Sequence, residues 1–303
     1  MAIENVDAND LILFDNTYVE RISLRCSLLQ QHREDVIGVT DISNTQIQTS
    51  IKELYNYLFA YYLPTRYPSI FHTYQDEKRT AITKNLITNQ TFPAAADKSI
   101  PIQSALETIC QNIDEDFFIL LPDDPHNPEE TTYTLKSYSA CFPSGFKPID
   151  KLGKKLADIH GPVPGYKAKL QKSMDRFFAK LQPGRFVKRV NWGITVDEEL
   201  YSNFDKSGPA FEGKLKAMTL EELDLDKAFL RCERQTLHRL PASGAIVFAF
   251  HTYLYPIQDI RNEGLGEDLA CAIEGLQRGS TPEMFTYKNG EKWADAVKEF
   301  LRI

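Results

Sequence analysis

Apolar residues recur at threes and fours along two early stretches, 21–29 and 45–62, the second carrying Ile51, Leu54, Leu58 and Tyr61. That spacing predicts amphipathic helices. Between them, 35–39 reads as a short strand or an extended loop, and the aromatic run Tyr55, Tyr57, Phe59, Tyr61 and Tyr62 reads as packing. The pattern then changes. Asp116-Phe117-Phe118-Ile119-Leu120-Leu121 is a short apolar run closed by Pro122-Asp123-Asp124-Pro125, which predicts a buried strand and a turn. Its partner in a hairpin is 131–141, rich in β-branched and aromatic residues. Helical spacing returns at Ile149, Leu152, Leu156 and Ile159, stopped by Gly161-Pro162, and again through Leu170, Met174, Phe177, Phe178 and Leu181, stopped by Pro183-Gly184. Three strands follow, 186–196, 228–240 and 245–255, the last two joined through Ser243-Gly244. The tail from 265 to 303 predicts helices, one starting near Gly279-Ser280-Thr281-Pro282-Glu283, with Trp293, Val297 and Leu301 as an anchoring stripe.

Two strands, a helical insertion and three more strands predict an α+β fold. Its centre is a five-stranded antiparallel sheet with helices inserted between strands 2 and 3, the arrangement of the PAS fold, with helical extensions at both ends. One domain over 1–303 is expected: a helical region at 1–110, a PAS-like core at 111–258 and C-terminal helices at 259–303.

Composition narrows the function classes without choosing among them. Of 303 residues, 42% are hydrophobic and 25% charged, which suits a globular chain with a sizeable core. A net charge of -7 argues against nucleic acid or an anionic membrane as the main partner. No apolar run is long enough to span a bilayer and the first residues lack the features of a signal peptide, so a cytoplasmic protein is expected. Five scattered cysteines, Cys26, Cys110, Cys141, Cys232 and Cys271, match neither a disulfide framework nor a zinc or iron–sulfur pattern. A flavin or nucleotide fingerprint is also missing, so any electrons must come from a separate protein.

Two segments carry candidate chemistry. His160 falls at the last turn of the helix predicted over 149–159, just before Gly161-Pro162-Val163-Pro164-Gly165-Tyr166, where an imidazole is fixed well enough to hold a metal. It is equally placed to cap its own helix. His238 and His251 lie on predicted strands and are alternative ligands, whereas His32, His72 and His126 sit among polar or loop residues. The second segment, Arg231-Cys232-Glu233-Arg234-Gln235-Thr236-Leu237-His238-Arg239, is unusually charged for a strand interior. Strand alternation puts Arg231, Glu233, Gln235 and Arg239 on one face and Cys232, Arg234, Thr236 and His238 on the other. Glu233 then either walls a polar pocket or is locked to Arg231 or Arg234.

Three blocks in order carry a resemblance: residues 151–166, Val187-Lys188-Arg189-Val190-Asn191-Trp192, and 231–241 running into Gly244-Ala245-Ile246-Val247-Phe248. In these the chain resembles the haem-dependent oxidative N-demethylase α-subunit family, over most of its length. The resemblance implies a PAS-like domain that binds haem b and uses O2 to convert a small secondary amine to a primary amine and formaldehyde. A flavin and iron–sulfur reductase on other subunits would supply the electrons. On this reading His160 is the iron ligand, with Tyr166 at the haem edge. Arg189, Arg231, Arg234 and Arg239 are candidates to pair with the haem propionates. Asn191 and Trp192 are candidates to bond oxygen or substrate and to pack on the haem, and Glu233 would hold the amine cation and accept its proton. The sequence departs from the family around Ser144-Gly145-Phe146, where a tryptophan is expected soon after the serine. Two other functions are consistent with the same residues: a haem-containing PAS-type sensor or carrier, and a homologue that has kept the fold and lost the cofactor. Haem content separates the last from the others.

Overall fold

Residues 117–121 form a continuous apolar run because both faces of the strand they build are covered. In the computed structural model, which describes residues 3–124, 126–127, 130–196, 200–201 and 216–303, Phe118 and Leu120 pack into one cluster while Phe117, Ile119 and Leu121 pack into another. A strand buried on both faces loses the alternation of a half-solvated one.

Ten strands are present among the described residues: β1 (Glu4–Asn5), β2 (Ile37–Val39), β3 (Phe71–Gln75), β4 (Ala81–Asn85), β5 (Thr91–Pro93), β6 (Asp116–Pro122), β7 (Tyr133–Ser139), β8 (Val187–Thr195), β9 (Phe229–Arg239) and β10 (Ile246–Pro256). Seven form one antiparallel sheet in the order β1-β8-β9-β10-β6-β7-β2, and β3-β4-β5 form a separate small sheet. The expectation of a five-stranded sheet is therefore corrected to seven. The five expected strands sit side by side in the middle, and both additions are at the edges. Glu4–Asn5 pairs with Val187 and Lys188, and Ile37–Val39 pairs with Ser137–Ser139. Strands of two or three residues are too short to show a hydrophobic period, which is why only the second was visible, and then only as a strand or a loop. The region 1–110 is also not helical throughout, since it contains β1 to β5.

Helices cover both faces of the sheet. One face packs Phe118, Leu120, Val187, Leu237, Ile246 and Phe250 against Leu156, Phe178 and Leu181 of the segment inserted between β7 and β8. On the other, Phe117, Ile119, Val247 and Ala249 meet the N-terminal helices Tyr18–Gln31, Thr45–Asn56 and Ile102–Asn112. Trp293, Val297 and Leu301 anchor the C-terminal helices in a third cluster with Ile257, Leu269 and Ile273, against which Trp192, Ile194 and Leu230 pack. None of the described helices is long and apolar enough to cross a membrane.

Two predicted helices change form. The helix over 149–159 splits into Pro148–Lys151 and Leu156–Ile159, because Gly153 turns left-handed at φ 79°. Its N–H donates to the Leu135 carbonyl at 2.9 Å, and the Leu135 N–H donates to Lys154 at 3.0 Å, so the interruption is stitched to β7. Further upstream, the helix from Thr45 passes into a π-helical turn at Tyr57–Tyr62. The wider turn rotates the apolar face, so Phe59 and Tyr62 are buried while Tyr61, expected inside, is 63% exposed.

Candidate functional site

Strand register brings the charged positions of β8 and β9 together. Arg189 lies opposite Gln235, Asn191 opposite Glu233, and Gly193 opposite Arg231. These pairs share the face that carries Val187, Leu237 and Phe250, because paired residues of an antiparallel ladder point the same way. A Cβ placed at Gly193 would meet nothing within 4 Å, so space opens above β8 beside Arg231.

Glu233 is the centre of a buried polar network. Its Oε2 accepts from Asn191 Nδ2 at 3.2 Å and from Gln235 Nε2 at 3.0 Å, while Oε1 lies 3.6 Å from Arg231 Nε. Of the two alternative ion-pair partners, the structure supplies Arg231. Arg231 in turn donates to the Phe142 carbonyl at 2.5 Å and to Thr252 Oγ1 at 3.3 Å. Arg189 and Lys288 also act on this carboxylate, and both are pushed below their ordinary values by burial, with Glu233 opposing the shift. Lys288 was not visible in the sequence as a site residue. It stands in the C-terminal segment, in an unremarkable Tyr-Lys-Asn-Gly run, and only the fold brings it to β8.

His160 lies on the same side of the sheet. It terminates the helix Leu156–Ile159, whose Leu156 and Ile159 belong to the cluster on that face. Its Nδ1 is 2.9 Å from the Leu156 carbonyl. A carbonyl only accepts, so Nδ1 carries the proton and Nε2 presents its lone pair. The capping contact and a ligand role therefore coexist, since a metal-binding histidine ordinarily bonds a carbonyl through its other nitrogen. Burial holds the imidazole below its ordinary value, and the nearby cations Arg189 and Lys151 act in the same direction, so it is neutral at pH 7. The ring stacks on Tyr166 with centroids 5.1 Å apart. Tyr166 is 2% exposed and its hydroxyl is buried without a hydrogen-bond partner. Phe146, at the position where the sequence departs from the family, packs against Phe118 with centroids 6.1 Å apart, in the same cluster.

The remaining candidates are placed elsewhere. Arg234 points to the opposite face, where it donates to the carbonyls of Asp10 and Leu11. Arg239 is on the His160 side but is committed to structure, donating to the carbonyls of Leu181, Phe178 and Gly244 and to the Tyr133 hydroxyl. Trp192 packs against the C-terminal helices. Two histidines, His238 and His251, belong to the far face: His238 lies against Tyr57 and Phe186, and His251 Nε2 is 3.7 Å from both Asp15 and Asp114. Burial lowers both to about 4. His72 and His126 are exposed and His32 is half-buried, stacked on Tyr201.

The donor set on the His160 side suits haem. A neutral imidazole whose Nε2 bears the lone pair terminates a helix packed on the apolar face of the sheet, which also carries Arg189 and Arg231. Among the described residues no group of three or more His, Cys, Asp and Glu side chains is placed to hold a metal ion. The chain matches the model of the family described as haem-dependent oxidative N-demethylase, α-subunit-like, over residues 2–298. With nearly all of its length covered, this chain belongs to the haem-dependent oxidative N-demethylase α-subunit-like family.

Proposed function

We propose that this protein binds haem b through His160 and uses O2 to remove a methyl group from a small secondary amine. The products are a primary amine, formaldehyde and water, and two electrons and two protons are taken up. A separate flavin and iron–sulfur reductase supplies the electrons, and the site works in a PAS-like core. The observation that carries the reading is the 2.9 Å contact of His160 Nδ1 with the Leu156 carbonyl, which puts the proton on Nδ1 and leaves the Nε2 lone pair for iron.

Haem, when bound, supplies the redox chemistry with O2. The chain supplies the rest. His160 holds the iron as a neutral ligand, and the Leu156 carbonyl fixes its ring. Tyr166 stacks on that ring and keeps it from rotating. Arg189 and Arg231, on the face of the sheet that carries Glu233, are the arginines assigned to the propionates, Arg231 while also donating to the Phe142 carbonyl. Glu233, held by Asn191 and Gln235, offers an acceptor to the amine N–H groups and takes the amine proton, leaving the nitrogen electron-rich. The apolar wall around Phe118, Phe146 and Phe248 keeps water from the methyl group that is oxidised.

The test is an absorption spectrum of the purified protein, oxidised and reduced, before and after haemin and then dimethylamine are added. A Soret band that His160→Ala abolishes or shifts, and that moves with the amine in the unmodified protein, is the expected result. Haem that binds equally well to His160→Ala ends the ligand assignment, and a Soret band blind to every small amine points to a sensor.

A further inference from the structure

Asn191 is an amide with two orientations, and which one it adopts decides whether it helps or opposes Glu233. With Nδ2 toward the carboxylate it donates a hydrogen bond, whereas the flipped amide would set its oxygen against a carboxylate oxygen. The orientation present places Nδ2 3.2 Å from Glu233 Oε2. On the other side of the amide, Lys288 Nζ lies 3.4 Å from Asn191 Oδ1. An ammonium can only donate, so it selects the orientation in which the amide oxygen faces Lys288 and the amide N–H faces Glu233.

Lys288 is itself held for this task from three directions. Its ammonium donates to the Trp192 carbonyl and lies 5.8 Å from the centroid of the Trp192 ring. Its own carbonyl accepts from Trp293 Nε1 at 3.1 Å, which ties it to the C-terminal cluster. The next residue, Asn289, turns left-handed at φ 55°, and a Cβ on the following Gly290 would collide with the Phe285 ring. The segment leading to Lys288 is fastened at its far end too, where Lys169 donates to Thr281 Oγ1 at 3.1 Å. Lys169 belongs to the helical turn that starts at Tyr166, so one strap joins the neighbourhood of His160 to β8.

We infer that Lys288 is a positioning residue for the amine site. It orients the Asn191 amide, and through it the Glu233 carboxylate, without touching the substrate. The inference rests on the reading of Glu233 as the amine acceptor and extends it by one residue, Lys288. A lysine that merely stabilised the C-terminal segment would leave the orientation of Asn191 unchanged when replaced.

The experiment compares Lys288→Met, Lys288→Arg and Asn191→Ala in the full chain. The methionine keeps the stem that packs on Trp192 and removes the donor, and the arginine restores a donor. The expected result is dimethylamine binding, read from the Soret shift, about tenfold weaker in Lys288→Met, with haem content unchanged and largely recovered affinity in Lys288→Arg. In the Asn191→Ala background Lys288→Met adds no further loss, because the two act through one contact. A second readout needs no amine: the side-chain amide resonances of Asn191, identified by their loss in Asn191→Ala, move in Lys288→Met and return in Lys288→Arg. Resonances unmoved by Lys288→Met, or losses that add fully in the double variant, overturn the inference. If the unmodified protein ignores amines while the resonances move as stated, the amine reading fails and the positioning role stands.

Discussion

Glu115 gives the sharpest test of the electrostatics behind the sheet. It lies 1% exposed just before β6, beside Asp114, and burial raises it from an ordinary 4.5 to about 8. Asp114 is raised from 3.8 to about 7 by the same cause, with Arg25 and Arg21 opposing. Between the unfolded and folded values the native protein holds a proton that the unfolded chain has released, so this stability is complete below the unfolded value and is lost as pH climbs to the folded one. From about pH 6.5 to about pH 8 the Glu115 share is about 1.5 units at about 1.4 kcal/mol each, or about 2 kcal/mol. His238 and His251, lowered to about 4, change their contribution only below the unfolded histidine value of 6.5. The perturbation is Glu115→Gln, which keeps the shape and removes the titration. Urea denaturation followed by tryptophan fluorescence, at pH values from 6.5 to 8.5 and with equal slopes confirmed, gives the free energies. The variant is expected to gain on the unmodified protein by about 2 kcal/mol across that window. Curves that run parallel refute the claim that Glu115 is a proton-bearing carboxyl in the fold.

Arg239→Met leaves five acceptors, the carbonyls of Phe178, Ala179, Leu181 and Gly244 and the Tyr133 hydroxyl, without their donor, and a loss of about 3 kcal/mol in urea denaturation is expected. Haem uptake by that variant should be intact at a temperature where it is folded, and an unchanged stability would return Arg239 to the propionate candidates. Glu233→Gln removes the charge that faces an amine cation while keeping most of the network with Asn191 and Gln235, so amine affinity should fall about 10- to 100-fold with haem content unchanged. Equal amine affinity in that variant makes Glu233 a structural residue.

Five strands of the central sheet were legible because each is long enough to carry a pattern: their observed ends, such as Val187 and Thr195 or Phe229 and Arg239, lie within two residues of those predicted. The edges were not. Glu4–Asn5 is polar and exposed, and its pairing depends on where β8 runs, which nothing local in those two residues encodes. The small sheet β3-β4-β5 was missed for a related reason: its strands are three to five residues long and mostly polar, so they resemble loop. Gly153 carried a signal that was outvoted. Apolar spacing on either side of it favoured one helix, whereas the left-handed turn allowed by glycine let residues 153–154 bond to Leu135 instead.

At the site, alternation along one strand separated Arg234 from Glu233, and this was readable because a strand's period is fixed. What faces Glu233 from outside β9 was not readable. Asn191 reaches it only through the register between β8 and β9, across more than thirty intervening residues, and a shift of one position would have put Trp192 there and turned Asn191 away. Lys288 is more distant still, delivered by a turn at Asn289 and a helix whose packing on the third cluster has no echo in the sequence near β8. The same distance makes the network sensitive. Glu233, Asn191 and Lys288 come from three distant parts of the chain, so their arrangement depends on the sheet register and on the C-terminal anchor together. The contacts of Asn191 with Glu233 and Lys288 therefore depend on the packed domain, which is why Asn191 and Glu233 could be named singly from the sequence while their partnership, and Lys288, required the fold.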